Sequence, residues 1–109
     1  MNEVLKIAYD ALDEKKGENI KIIDISEISV IADYFIIVNG TNSNQLDALT
    51  ENVEEKLSKA GVSSGRFEGM NTDWRLLDYG DIVIHIFTRD TREFYDLERI
   101  WSDGKEVEV

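Results

Sequence analysis

Asp78, Asp81 and His85 have the donor types of a metal or acid–base site, and the chain holds no other histidine and no cysteine. If Asp81 and His85 share a strand, both point to one face, but four residues at about 3.3 Å each hold them roughly 13 Å apart. That is too far for one metal ion. A zinc site needs at least three protein ligands, and a single histidine with Asp78 approaching across a turn does not supply them. No metal or other cofactor is expected. A lone histidine in the apolar run IVIHIF, residues 82–87, is more often a packed residue bonded to a neighbour, so His85 is expected to serve packing and hydrogen bonding.

A second chemistry is suggested by GTNSNQ, Gly40 to Gln45. A glycine and a serine before a helix can hold phosphate with backbone N–H groups. Nucleotidyltransferases use such an element and add carboxylates spaced D-x-D on the next strand to hold magnesium. No D-x-D occurs here, and Asp47 and Glu51 are expected on the solvent side of the helix. The P-loop and dinucleotide fingerprints are also absent. A nucleotide-binding or transferase enzyme built on GTNSNQ with Asp78 and Asp81 is therefore the alternative reading, and a capped helix start is the favoured one. Ser26, Ser29, Ser43, Ser63 and Ser64 lack an elbow motif and would compete for one histidine.

The elements that must position these residues follow from periodicity. Val4, Leu5, Ala8, Ala11 and Leu12 fall on one helical face near residues 2–16, with Gly17 as the expected stop. Two β-branched runs, residues 20–25 and 34–38, read as strands. Asn42 or Ser43 caps the next helix, with Gln45 in capping-box register, and Leu46, Leu49, Val53, Leu57 and Ala60 mark its buried face up to Gly61. Glu55 and Lys59 form an i,i+4 pair on its wet side. A loop containing Gly65 and Gly69 leads to a strand at 74–77. Asp78 to Asp81 turns into a strand at 82–87 that has the look of a central one. The segment TREFYDLERIW, residues 91–101, reads as one helix with Phe94, Leu97 and Trp101 facing the core. The order predicts an α/β domain, a small mixed β-sheet flanked by helices.

At 109 residues the chain supports one domain, 1–109, with a loose tail from about 102. Twelve Lys and Arg stand against 23 Asp and Glu, a formal net charge of −11, which repels phosphate backbones and anionic lipids and either favours a basic protein partner or simply keeps the protein in solution. Little direct nucleic-acid binding is expected. The N-terminus carries acids among its apolar residues, unlike a secretory signal, and no apolar run approaches the roughly 20 residues that span a bilayer. A cytoplasmic protein without membrane association is the expectation.

The blocks D-I-S, A-D-Y-F-I-I, G-T-N-S-N-Q, E-G, D-W-x-L-L-D-Y-G-D-I-V-I-H-I-F and R-x-F-Y-x-L-E-R-I-W, in this order, closely resemble the ribosomal silencing factor family, also called Iojap-like or RsfS. The resemblance covers nearly the whole chain, and the last two blocks are the specific ones. It implies a fold related to nucleotidyltransferases but lacking their catalytic carboxylates, and a protein that is not an enzyme. It further implies a homodimer when free, and binding to large-subunit ribosomal protein L-fourteen that blocks subunit joining and represses translation when nutrients are short. On this reading Trp74, Arg75, Leu77, Asp78 and Tyr79 form the contact, and Arg92, Tyr95 and Glu98 border it. Trp74 could instead be a core residue of its strand. The enrichment of Trp, Tyr and Arg at interface hot spots favours contact.

Overall fold

The computed structural model describes residues 3–63 and 65–109. In chain order the elements are α1 (Glu3–Glu14), β1 (Glu18–Asp24), β2 (Tyr34–Gly40), α2 (Ser43–Lys59), β3 (Arg66–Glu68), β4 (Trp74–Asp78), β5 (Ile82–Thr88), α3 (Arg89–Tyr95), α4 (Leu97–Ile100) and β6 (Lys105–Val107). The strands form one six-stranded sheet in the order β3-β4-β5-β2-β1-β6. Among the described residues only β2 and β5 run parallel, in register from Tyr34 opposite Ile82 to Gly40 opposite Thr88. The mixed α/β class expected from the sequence is present.

Alternation along the two central strands divides the core into two layers. Ile36, Val38, Ile84 and Ile86 face the long helices, where Leu5, Leu12, Leu46, Leu49, Val53 and Leu57 meet them. Each such side chain, fully removed from water, contributes about 1.5–3 kcal/mol. Phe35, Ile37, Val83 and Phe87 face the other way, against Ile25, Ala32 and Leu97, with Trp74, Leu76 and Trp101 packed at the margin. This second face has a thinner cover, supplied by the 25–33 segment and α4. Its margin is where apolar surface remains open.

Asn42 caps α2, its Oδ1 accepting the Gln45 N–H at 2.9 Å. The capping box is displaced by one residue, because Gln45 Oε1 accepts from the backbone N–H of Thr41 at 2.7 Å. Gln45 Nε2 donates to the Lys16 carbonyl at 2.9 Å and so ties the end of α1 to the start of α2. At the far end Gly61, at φ +82°, supplies the left-handed residue that stops α2. The left-handed residue after α1 is Lys16, one position before the expected Gly17. Glu55 and Lys59 pair at 3.4 Å on the wet side, as expected.

Three expectations are corrected. The stretch between Gly65 and Gly69 is not wholly loop, since Arg66–Glu68 pairs antiparallel with Leu76–Asp78 as an edge strand. The tail after 102 is not loose. It turns at Gly104, and Lys105, Glu106 and Val107 pair with Asp24, Ile23 and Ile22, covering the outer edge of β1. The last helix is two short ones, because Asp96 takes a left-handed conformation at φ 49°. That break turns Phe94 into solvent, 81% exposed, while Leu97 stays buried and Trp101 packs on Phe35 at 5.1 Å.

Candidate partner-binding site

The alternation of β4 sorts the expected contact residues. Trp74, Leu76 and Asp78 lie half-buried on the thinly covered face, whereas Arg75 and Leu77 point under the helices. Arg75 is 1% exposed. Its guanidinium donates to Asp47 of α2, to Ser43 Oγ at 3.2 Å and to the Thr72 carbonyl at 3.2 Å. It is a buried cation clamping α2 to β4, and Leu77 is a core residue. Neither is open to a partner. Asp47, expected on the solvent side, is half-exposed because one of its oxygens is turned inward to Arg75.

Trp74 is held by the buried histidine. Its Nε1–H donates to His85 Nδ1 at 3.1 Å, which makes His85 an acceptor at Nδ1 and leaves the proton of its neutral ring on Nε2. That Nε2 is buried without a partner, and the Phe35 ring stands edge-on to the imidazole at 4.6 Å. Burial pushes the His85 pKa down to about 4. The expected packing and hydrogen-bonding role in the central strand is what the geometry shows.

The indole also meets Tyr95 at 4.7 Å between centroids, and Tyr95 meets Phe94 at 5.1 Å in a T-shaped pair. These rings form a run from the core outward: Phe87, Trp74, Tyr95, Phe94. The open cleft beside them, about 640 Å³, is also lined by Asp73 and Asp90. Sequence reasoning found Trp74 and Tyr95 but passed over Phe94, Asp73 and Asp90. The signal against Phe94 was its helical register with Leu97, which the turn at Asp96 breaks.

Asp78 and Tyr79 sit elsewhere. Trp74 lies opposite Phe87 and Asp78 opposite Val83, so the two ends of β4 are about 13 Å apart. Asp78 Oδ1 accepts the Gly80 N–H at 2.8 Å and shapes the turn. Tyr79 packs on Phe67 at 5.7 Å, its hydroxyl buried without a partner, and burial with the nearby Glu54 charge pushes its pKa up to about 12. Arg92 is also buried. It donates to the Asn19 carbonyl at 2.8 Å and Asn39 Oδ1 at 2.9 Å, and pairs with Glu98 at 3.2 Å. Both residues are parts of a brace between the last helices and the sheet, and Tyr95 alone of the bordering set joins Trp74.

The alternative enzyme site is separated by the same register. Asp81 immediately precedes β5, while GTNSNQ begins at the far end of β2, where Gly40 pairs with Thr88. Some seven residues of strand put about 20 Å between them. Of the first N–H groups of α2, that of Gln45 is engaged by Asn42, while Gln45 Oε1 holds the Thr41 N–H just before the helix. Among the described residues no group of three or more His, Asp or Glu could hold a metal ion, and no helix is long and apolar enough to cross a membrane.

Comparison with known proteins places this geometry. A family model described as ribosomal silencing factor during starvation matches residues 1–109. The chain is 36% identical over 108 residues to the ribosomal silencing factor RsfS of Halalkalibacterium halodurans, covering 98% of this chain and 92% of that protein. To the RsfS of Bacillus subtilis it is 38% identical over 102 residues, covering 93% and 86%. A crystal structure of a Chromobacterium violaceum protein superposes with a TM-score of 0.90 at 33% identity, covering 99% of this chain and 92% of the other. Matched over its whole length by the family model, and sharing its fold and a third of its residues with these proteins, the chain belongs to the RsfS family of ribosomal silencing factors.

Proposed function

We propose that this protein binds the large ribosomal subunit through ribosomal protein L-fourteen, occupies the surface that the small subunit needs, and so represses translation when nutrients are limiting. The observation that carries the reading is the open aromatic run Trp74, Tyr95 and Phe94 on a chain of the RsfS family with a net charge of −11. Aromatic anchors supply contact area at low entropic cost, and the acidic surface favours a basic protein over the surrounding rRNA. Trp74, Tyr95 and Phe94 are the central contact. Asp78 and Tyr79 reach a partner only if its footprint extends along β4.

Steric occlusion needs placement alone and no catalysis, so the protein acts without a nucleotide, on a nucleotidyltransferase-like frame that lacks the catalytic carboxylates. The nucleotide-binding alternative loses its support with the distance between GTNSNQ and Asp81. The free chain is read as a cytoplasmic homodimer, with the resemblance as support, and sedimentation velocity over a dilution series tests it. The main test is co-sedimentation with separated subunits in the absence and presence of ATP and magnesium. The protein is expected with large subunits, not small ones, and equally in both conditions. Retention that requires ATP would overturn the proposal.

A further inference from the structure

The cleft beside Trp74 combines features that specify more than an apolar contact. One wall is aromatic, made by Trp74, Tyr95 and Phe94, with Tyr95 46% and Phe94 81% exposed. Two carboxylates line the same cleft from different elements, Asp73 from the loop before β4 and Asp90 from the first turn of α3. Asp73 accepts the Thr88 N–H at 3.0 Å through its backbone carbonyl, and its carboxylate makes no ion pair with a described residue. The cation nearest in sequence to Asp90 is Arg89, and Arg89 is already committed to Glu18, with bonds of 2.8 and 3.0 Å to its two oxygens. Asp73 and Asp90 thus line the cleft without an ion pair to a described residue, the nearby Arg89 charge being felt by Asp90 but hydrogen-bonded to Glu18. A buffering role for Asp90 at the helix start accounts for that residue alone and not for Asp73 or the outward Phe94.

We infer that this cleft is a receptor for the guanidinium group of an arginine side chain on a basic protein segment, the planar cation lying against the aromatic wall while its N–H groups reach Asp73 and Asp90. A guanidinium suits the place better than an ammonium. It is planar, more weakly hydrated and stacks on aromatic faces, and its fixed fork of donors can serve two carboxylates at once. The inference rests on the proposed binding to a basic ribosomal protein and names the chemistry at the centre of that contact.

The test has two arms. In the first, ¹H–¹⁵N spectra of the protein are recorded during titration with acetyl-arginine amide, acetyl-lysine amide and the neutral acetyl-citrulline amide. The arginine compound is expected to shift the Trp74 Nε1–H and Tyr95 N–H signals, with a weaker response to lysine and none to citrulline. Equal responses to arginine and citrulline overturn the proposal, as does an equal response to lysine. A response confined to dilution of the protein, with none to arginine, makes a second copy the occupant and also overturns it.

In the second arm, large-subunit affinity is measured for wild type, the Asp73→Asn/Asp90→Asn double variant and Phe94→Ala, whose exposure keeps folding unaffected. Each variant is expected to lose about tenfold, the scale of one desolvated charged or aromatic anchor. If wild type does not bind large subunits, the functional reading fails. If wild type binds and all variants bind equally well, the functional reading stands and the arginine receptor is overturned.

Discussion

His85 shows how one side chain can hold a surface it does not belong to. It is 4% exposed, and the indole of Trp74 is oriented by donating to its neutral ring. Its folded pKa of about 4 lies below the ordinary 6.5, so between those values the unfolded chain binds the extra proton and the folded one does not. Stability from this group is full above pH 6.5, falls as pH drops toward 4, and is flat below. The loss amounts to about 3 kcal/mol in all, from roughly 1.4 kcal/mol per unit. His85→Gln, which can still accept from the indole, is expected to unfold at lower stability near neutral pH yet with a shallower slope between pH 6.5 and 4. Urea melts across that range check it, and parallel slopes for the two proteins would contradict the assignment. Arg75 makes the complementary case, because its buried charge depends on Asp47. Asp47→Ala is expected to cost roughly 2–3 kcal/mol, less than a fully buried pair since Asp47 is half-exposed, and the Asp47→Ala/Arg75→Met double variant should recover part of it. Thermal melts with a double-mutant cycle measure both.

The long elements were legible because their signals are periodic and local. The apolar stripe of α1, the Asn42 cap of α2 and the apolar run of β5 each name a structure by themselves. What escaped were features decided by contacts distant in sequence. β3 is three residues long and exists only because Leu76–Asp78 offers an edge. β6 follows a glycine and is charged, yet the open side of β1 recruits it. Arg75 and Leu77 looked like parts of an interface because their neighbours Trp74 and Tyr79 did, but strand alternation buries both. Of the candidate site, Trp74 and Tyr95 were readable from residue type. The outward turn of Phe94 accompanies the left-handed Asp96 between α3 and α4, for which the residue type gives only a weak signal, since aspartate enters that region more readily than most residues but does so at few of its positions. The β6 edge is testable through Gly104, where an added Cβ would stand 2.5 Å from Ile23 Cγ2 and 2.9 Å from the Asp24 carbonyl. Gly104→Ala should detach β6, and hydrogen exchange at the Asp24 and Val107 amides should rise while the amides of β2 and β5 stay protected. Unchanged protection throughout would show that the edge accommodates the methyl group.

For the whole molecule, charge and shape act together. A chain with 23 acids and 12 bases approaches a basic protein faster than an uncharged one would, and salt screens that approach. Its association rate with large subunits should therefore fall as salt rises from 50 to about 300 mM, while the dissociation rate, set by the aromatic run, changes little. Stopped-flow or surface-resonance kinetics separate the two rates, and a salt effect confined to dissociation would contradict this division. On the proposed function, occupancy of the large subunit should exclude the small one, and light scattering reads that exclusion. Large subunits are preincubated with increasing amounts of the protein and mixed with small subunits without any nucleotide. The joining amplitude is expected to fall in proportion to bound protein and to vanish near one copy per large subunit. Full joining on large subunits that demonstrably carry the protein would contradict it.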